Sequence, residues 1–375
     1  MKYVLCIISN MNTGGAETFL MKIYRRLNKM KYQMDFCINV FDKCFYEAEI
    51  LAFGGRIYRV PSKSAARKEF EKQLYEIIKS NHYDHVLRIT SSAMGFMDLK
   101  IAHRAGAKVC AARSSNSSDG GSLRAKIAHG LGRIMYGKYV NVRIAPSDLA
   151  AKYTFGRKAC ESGDVTILHN AVDLDEYGYN ADMRCRIRSE FGIADDTMVL
   201  GHVGRFMTQK NHAFLLAVFK EYSKINANSV LLLVGGGELE AAIRKRALEL
   251  GILDRIIFTG IRPDVPALLS AMDVFVFPSL YEGMPNTVIE AQATGLPCLI
   301  ADTITREADI TGLVSYLPLG DAAEWASHIA GLPRQERTTP VQAFRANGYD
   351  IETAVEQFVG LIFGEQETGY DQIIT

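Results

Sequence analysis

No apolar run in this chain approaches the roughly 20 residues needed to span a bilayer as a helix, and no CxxC pair occurs among its seven cysteines. The first absence argues against a membrane-spanning helix. The second, with an odd and scattered set (Cys6, Cys37, Cys44, Cys110, Cys160, Cys185 and Cys298), argues against a disulfide framework and for reduced thiols in a cytoplasmic compartment. GxSxG, HExxH, GxGxxG and P-loop patterns are also missing, as are repeats of solenoid period and low-complexity segments. No cluster of His, Cys, Asp or Glu has metal-site spacing: "HYDH" (His82, His85) stands alone, and the DxD of "VDLDE" (Asp173, Asp175) reads as a polar turn. The opening "MKYVLCIIS" reads as a buried first strand, because a glycine turn and a helical pattern follow at once.

Net charge is nearly absent too, at +1 over 375 residues, but the balance hides an asymmetry. Residues 1–170 hold 27 Lys+Arg and 14 Asp+Glu, or +13; residues 171–375 hold 16 and 28, or −12. A basic half suits an anionic partner: nucleic acid, a membrane surface or a phosphorylated substrate. Mutual neutralisation of the two halves accounts for the same numbers.

What is present is an alternation of short apolar runs with helical patterns. Twelve runs read as strands: 3–8, 33–40, 56–60, 85–90, 108–113 and 142–146, then 198–204, 229–235, 255–260, 273–279, 297–301 and 313–317. Near-continuous apolar strands separated by helices imply parallel sheets covered on both faces. The fold class is therefore α/β, with two doubly wound domains. The predicted division is a first domain at 1–170, a polar linker at 171–197, a second domain at 198–345, an amphipathic C-terminal helix at 346–364 and a frayed tail at 365–375. Val355, Phe358, Ile362 and Phe363 form the apolar side of that helix.

In open α/β sheets, ligands bind beyond the carboxyl ends of the strands. Four stretches fall there. "ISNMNTGGAETF" places Gly14 and Gly15 before a helix, where backbone N–H groups can approach an anion; glycine in a βα turn for steric reasons alone is the plainer reading. "GHVGRFMTQKNH" sets Arg205 directly after the strand-ending Gly204, with Lys210 at the next helical pattern; two cations suit a diphosphate, unless both are simply solvated. "YEGMPNTVIEAQATG" holds Glu282 and Glu290 eight positions apart around a helix start. A carboxylate can accept two hydrogen bonds from a vicinal diol, so the pair could hold two sugars of a nucleotide-sugar; helix-start acidity plus a solvated glutamate is the alternative. "LVGGGELE" reads as a tight βα turn.

Together these residues resemble the retaining glycosyltransferases of family 4, most of all the branch that builds capsular and extracellular polysaccharides. The matching segments are "GGAE" at 14–17, "GR" and "QKN" within 204–211, "FTG" at 258–260, "DV" at 264–265, "FPSLYEGMPNTVIEAQATGLP" at 277–297 and "DTITREADIT" at 302–311. The resemblance spans nearly the whole chain and is most specific from about 198 to 327. It implies a GT-B fold: two Rossmann-like domains facing a central cleft, with the C-terminal helix crossing back to the first domain.

The resemblance also implies roles. Glu290 would bind the donor ribose, and Glu282 the transferred sugar near its diphosphate. Arg205 and Lys210 would stabilise the leaving diphosphate. Gly204 and the backbone of Gly283, Met284, Pro285, Asn286 and Thr287 would hold phosphate and hydroxyls. Gly14 and Gly15 would close over the β-phosphate, and Ile261 and Arg262 would border the base. Catalysis would be metal-independent and retaining, without a cofactor, and closure about the linker would assemble the site. The implied donor is a nucleotide-diphospho-sugar, a UDP-sugar first; the implied acceptor is a polyprenyl-diphosphate-linked saccharide, and no nucleic acid is involved. One departure stands out. Many relatives read "HSHN" after the fifth strand, where this chain reads "RSSN". Arg113, with Asn116 near it on the acceptor side, either occupies the place of the histidine or faces an anionic acceptor. Arg124, Lys126, Arg133 and Lys138 in the helical pattern at 122–140 suggest peripheral docking on an anionic membrane, against a core-facing helix with a solvated basic side. A GT-B nucleotide-sugar epimerase and a non-catalytic nucleotide-sugar-binding protein are the rival functions.

Overall fold

The computed structural model describes residues 1–115, 122–333 and 336–365. The chain forms two compact units, one built from Met1–Ala171 with the segment from Ile351 onward, the other from Val172–Asp350.

Unit one is a parallel sheet of seven strands: β1 (Lys2–Ile7), β2 (Tyr32–Ile38), β3 (Ile57–Arg59), β4 (His85–Thr90), β5 (Val109–Ser114), β6 (Val142–Ala145) and β7 (Thr166–Ile167). Their order is β3-β2-β1-β4-β5-β6-β7. All seven residues of β2 are buried, as a strand covered by helices on both faces requires. The C-terminal helix, Ile351–Phe363, closes one of those faces. Its Val355, Phe358, Val359 and Ile362 join a core with Phe19, Tyr24 and Phe36, and Phe363 stacks on Tyr32 at 4.6 Å between ring centroids. The helix thus returns to the first domain, as the resemblance implies. It starts later than the pattern at 346–364 suggested, since Val341–Ala346 is a separate helix.

Unit two is a parallel sheet of six strands: β8 (Met198–Val203), β9 (Ser229–Val234), β10 (Ile256–Gly260), β11 (Val274–Phe277), β12 (Cys298–Ala301) and β13 (Val314–Leu317). Their order is β10-β9-β8-β11-β12-β13. The winding direction reverses between β8 and β11, the position at which doubly wound sheets open a crevice for ligands.

Two expectations need correction. Thirteen strands are described, not twelve, because β7 pairs with β6 through only two residues and leaves no apolar run to detect. The stretch predicted as a linker at 171–197 is, from Val172 on, folded into unit two and holds the helices Leu174–Tyr177 and Ala181–Glu190. Its polarity misleads because two of its arginines, Arg184 and Arg188, point inward. Arg184 and Arg188 each bond a different oxygen of Asp273 at 2.7 Å, and Arg188 is almost fully buried. Asp173 of the DxD caps the first of these helices by accepting the Asp175 N–H at 3.1 Å. Of the predicted tail, residues beyond Glu365 lie outside the described residues.

Candidate active site

In unit two the residues singled out gather on loops after β8, β10 and β11. The β8 loop runs through Gly204 and Arg205 to a short helical turn, Thr208–Lys210. Asn211 then takes a left-handed conformation (φ 52°) that redirects the chain into the helix His212–Ile225. This loop is zipped to its neighbours by backbone. The Gly204 N–H donates to Val234 O at 3.0 Å, and the Phe206 N–H donates to Gly236 O at 2.9 Å. Gly235 has φ 132°, and a Cβ there would collide with the Gly204 carbonyl, so the "GGGE" turn needs glycine for this close approach.

The β11 loop is tied to the β8 loop across the reversal point. Gln209 O accepts the Leu280 N–H at 2.9 Å, and Gln209 Nε2 donates to Tyr281 O at 2.8 Å. Next to these contacts, Lys210 Nζ donates to Glu282 Oε1 at 2.7 Å and sits 4.5 Å from the centroid of Phe277. Both side chains are largely buried, at 16% and 10% exposure. The chain then passes Gly283 and enters the helix Asn286–Ala293 behind Pro285, which offers no side-chain acceptor to the first turn. Met284 anchors the entry among Ile289, Phe344 and Tyr349. Glu290 lies half-buried in the second turn of that helix. An ammonium, a carboxylate and the positive end of a helix dipole at one sheet mouth can hold an anion beside hydroxyl groups.

The other candidates of this unit are placed differently. Arg205 is exposed, its guanidinium 3.4 Å from Glu238. The Ile261 side chain is also exposed. Arg262 is held by Asp264 at 2.8 Å and Glu190 at 2.6 Å, and these carboxylates raise its pKa further.

In unit one, Gly14 is the N-cap of the helix Gly15–Arg26 and has no side chain to cap it. The Glu17 carboxylate folds back to where a Cβ of Gly14 would stand. Arg113, on β5, is buried. Its Nη2 donates to Asn170 Oδ1 at 2.7 Å, and its guanidinium carbon lies 3.5 Å from the Phe19 ring centroid. Nε has no hydrogen-bond partner among the described residues, and burial lowers the pKa to about 9. Asn116 lies outside the described residues.

Comparison with known proteins decides the family. Residues 197–334 match the family model described as glycosyl transferases group 1. EpsF of Bacillus subtilis (strain 168), whose name assigns it provisionally to the glycosyltransferases, is 34% identical over 363 residues, covering 94% of this chain and 94% of that protein. The chain is a group 1 glycosyltransferase. An Escherichia coli relative, named as a UDP-Gal:alpha-D-GlcNAc-diphosphoundecaprenol alpha-1,3-galactosyltransferase, is 28% identical over 243 residues, 61% of this chain and 60% of that one. Anabaena HepE, solved in complex with UDP and glucose, shares the fold with a TM-score of 0.72 at 17% identity, over 96% of this chain and 98% of that one. The architecture of the glycosyltransferase is accordingly GT-B.

Sequence reading missed the residues that support this enzyme's β8 and β11 loops. Gln292, fully buried, donates to Ala308 O at 2.7 Å and accepts from the Ile310 N–H and the Thr311 hydroxyl, which fixes the helix bearing Glu290. His202 and His212 lie buried near Lys210, with ring centroids 4.9 Å apart. His202 Nδ1 bonds Val276 O at 2.9 Å, and its ring stacks on Phe277. An apolar strand pattern marks neither histidine, because His202 sits in β8 as if it were another apolar residue.

Both imidazoles are held neutral. Burial, then the neighbouring His212, keeps His202 well below its usual range; burial, then Lys210, brings His212 down from 6.5 to about 4. A folded pKa below the unfolded one means that the unfolded chain takes up the proton first. Stability is therefore complete above pH 6.5 and is lost as pH falls toward 4. The His212 term is about 2 kcal/mol between about pH 7 and 5. His212→Gln is expected to flatten the acid decline of the unfolding free energy, read by urea titration, by that amount. An unchanged decline would remove His212 as its source.

Proposed function

We propose that the enzyme moves a hexosyl unit from a nucleotide-diphospho-sugar, a UDP-sugar in the first instance, to a polyprenyl-diphosphate-linked saccharide during surface-polysaccharide assembly. The observation that supports this most directly is the Lys210–Glu282 contact at the β8–β11 reversal, with the helix bearing Glu290 directly after it. Glu290 takes the ribose diol, Glu282 the hydroxyls of the transferred sugar, and Lys210 with Arg205 the diphosphate. Gly204 and the backbone of residues 283–287 line the donor, and Ile261 with Arg262 border the base. In unit one, Gly14 and Gly15 are assigned to the β-phosphate, and Arg113, a cation, and Asn116, a neutral amide, to the acceptor. The names of the Escherichia coli galactosyltransferase and of the HepE complex agree with a UDP-linked donor and a diphospholipid-linked acceptor.

Reaction proceeds with retention at the anomeric carbon. As the glycosidic C–O bond breaks, negative charge grows on the leaving phosphate, and preorganised donors aimed at that charge lower the barrier. Lys210, Arg205 and the first N–H groups of the helix Asn286–Ala293 supply it, so neither a metal nor a cofactor is required. The leaving phosphate accepts the acceptor hydroxyl proton on the same face. The enzyme works at the cytoplasmic face of the membrane that carries its acceptor.

A panel of UDP-, GDP- and ADP-sugars, scored by thermal shift and by slow donor hydrolysis, tests the reading. A donor at 100 times its Kd stabilises a binder by about 2.7 kcal/mol. Glu290→Ala is expected to weaken that donor at least tenfold, seen as a matching rightward shift of the melting-temperature titration. Absence of stabilisation by every nucleotide-sugar would overturn the proposal, and binding without hydrolysis or transfer would favour a sugar sensor.

A further inference from the structure

The helix Leu123–Tyr136 of unit one turns an apolar side to solvent. Leu123, Ile127, Leu131, Ile134 and Met135 are 73%, 55%, 50%, 79% and 53% exposed. At about 100° per residue they share one sector roughly 120° wide, opposite the buried His129, Gly132 and Tyr136. The helix cannot roll to cover them. His129 Nδ1 accepts the Ala93 N–H at 3.3 Å and its Nε2 lies 2.9 Å from Tyr153 O. A Cβ at Gly132 would stand 2.7 Å from backbone atoms of Ala93 and Met94, so this side is locked against the turn after β4.

Charge identifies what covers the exposed side. Lys126 and Arg133 border the sector on one edge and Arg124 lies within the other, with Lys138 just beyond the helix. Among the described residues none of these four is in an ion pair. From 122 to 158 the chain holds eight Lys+Arg and one acid, Asp148. A second copy placed face to face would oppose like charges, whereas an anionic lipid surface neutralises them while its acyl region takes up the apolar side chains.

We propose that this helix lies in the plane of an anionic membrane leaflet, with Leu123, Ile127, Leu131, Ile134 and Met135 inserted at the acyl boundary and the flanking cations on lipid phosphates. The inference rests on the proposed lipid-linked acceptor and specifies the surface that meets the bilayer. It is tested by co-sedimenting the full chain with vesicles of phosphatidylcholine alone and of phosphatidylcholine with phosphatidylglycerol. Preference for the anionic vesicles by at least tenfold, reduced by high salt, is expected. Ile127→Glu/Leu131→Glu/Ile134→Glu should lower partitioning at least tenfold with an unchanged melting temperature, because these side chains are already in water. Lys126→Glu/Arg133→Glu, a second variant, should abolish the anionic preference.

Equal binding to both vesicle types, no binding, or wild-type binding by the triple variant would overturn the inference. So would light scattering that shows a dimer dispersed by the triple variant without lipid binding, which would assign the face to a second copy. Donor hydrolysis in vesicle-free solution separates the two readings. Hydrolysis without vesicle binding removes only the docking surface, and vesicle binding without hydrolysis or donor stabilisation removes only the transferase chemistry.

Discussion

Lys210→Ala is expected to lower sugar transfer at saturating donor by about 10²–10³-fold, the effect typical of losing one preorganised charge at a developing anion. The loss should fall on kcat more than on KM, since the leaving phosphate gains charge only as the bond breaks. A structural effect accompanies it. Glu282 is left with 10% exposure and without its 2.7 Å partner, which costs roughly 1–3 kcal/mol of stability. Pairing Lys210→Ala with Glu282→Gln separates the two effects. If the lysine serves only to neutralise the glutamate, the double variant recovers most of the activity lost by Lys210→Ala. If the two side chains hold different parts of the donor, the double variant is worse than either single one. Full activity in Lys210→Ala, measured as initial rates at several donor concentrations, would remove Lys210 from the mechanism.

Phe358→Ala is expected to destabilise unit one by about 3–5 kcal/mol, the range for emptying a closed aromatic site. Phe358 is fully buried and shares its core with Phe19, Tyr24 and Phe36, residues more than 300 positions earlier in the chain. The sequence contains one tryptophan, Trp325, which is buried in the core of unit two and donates to Pro318 O at 2.9 Å. Tryptophan fluorescence therefore reports on unit two, while far-ultraviolet circular dichroism reports on both units. In a urea titration the circular dichroism of Phe358→Ala should show an earlier transition that fluorescence does not share. Wild-type midpoints by both probes would mean that the C-terminal helix contributes little to the core it completes.

The two sheets were legible because strands buried on both faces carry near-continuous apolar runs, as β9, β11 and β12 do. What escaped reading were elements whose inward side chains are charged. In 171–197, Arg184 and Arg188 reach Asp273 and the Ala271 carbonyl at the end of the helix Val265–Ala271, so polarity marks burial there rather than a loop. The site was legible as residue types at strand ends. The partner of each was not: Lys210 and Glu282 are 72 positions apart, and only the adjacency of β8 and β11 brings them together. Arg262 was expected to border the base, and two carboxylates hold it, one of them Glu190 from the supposed linker. The basic segment at 122–140 was legible as basic and apolar, but not which apolar residues face outward. That orientation is set by Gly132 against the turn after β4, a contact between segments some 40 positions apart.

The return of Ile351–Phe363 to the first unit constrains biosynthesis. A ribosome that has just released residue 171 has made every strand of that sheet but not the helix that shields Tyr32 and Phe36. The second unit, contiguous in the nascent chain, can mature before the first is sealed. Until Ile351–Phe363 has been made, the unsealed apolar surface is open to holding chaperones and to aggregation, and termination before Ile351 would leave a chain with a sound second unit and an unfinished first one.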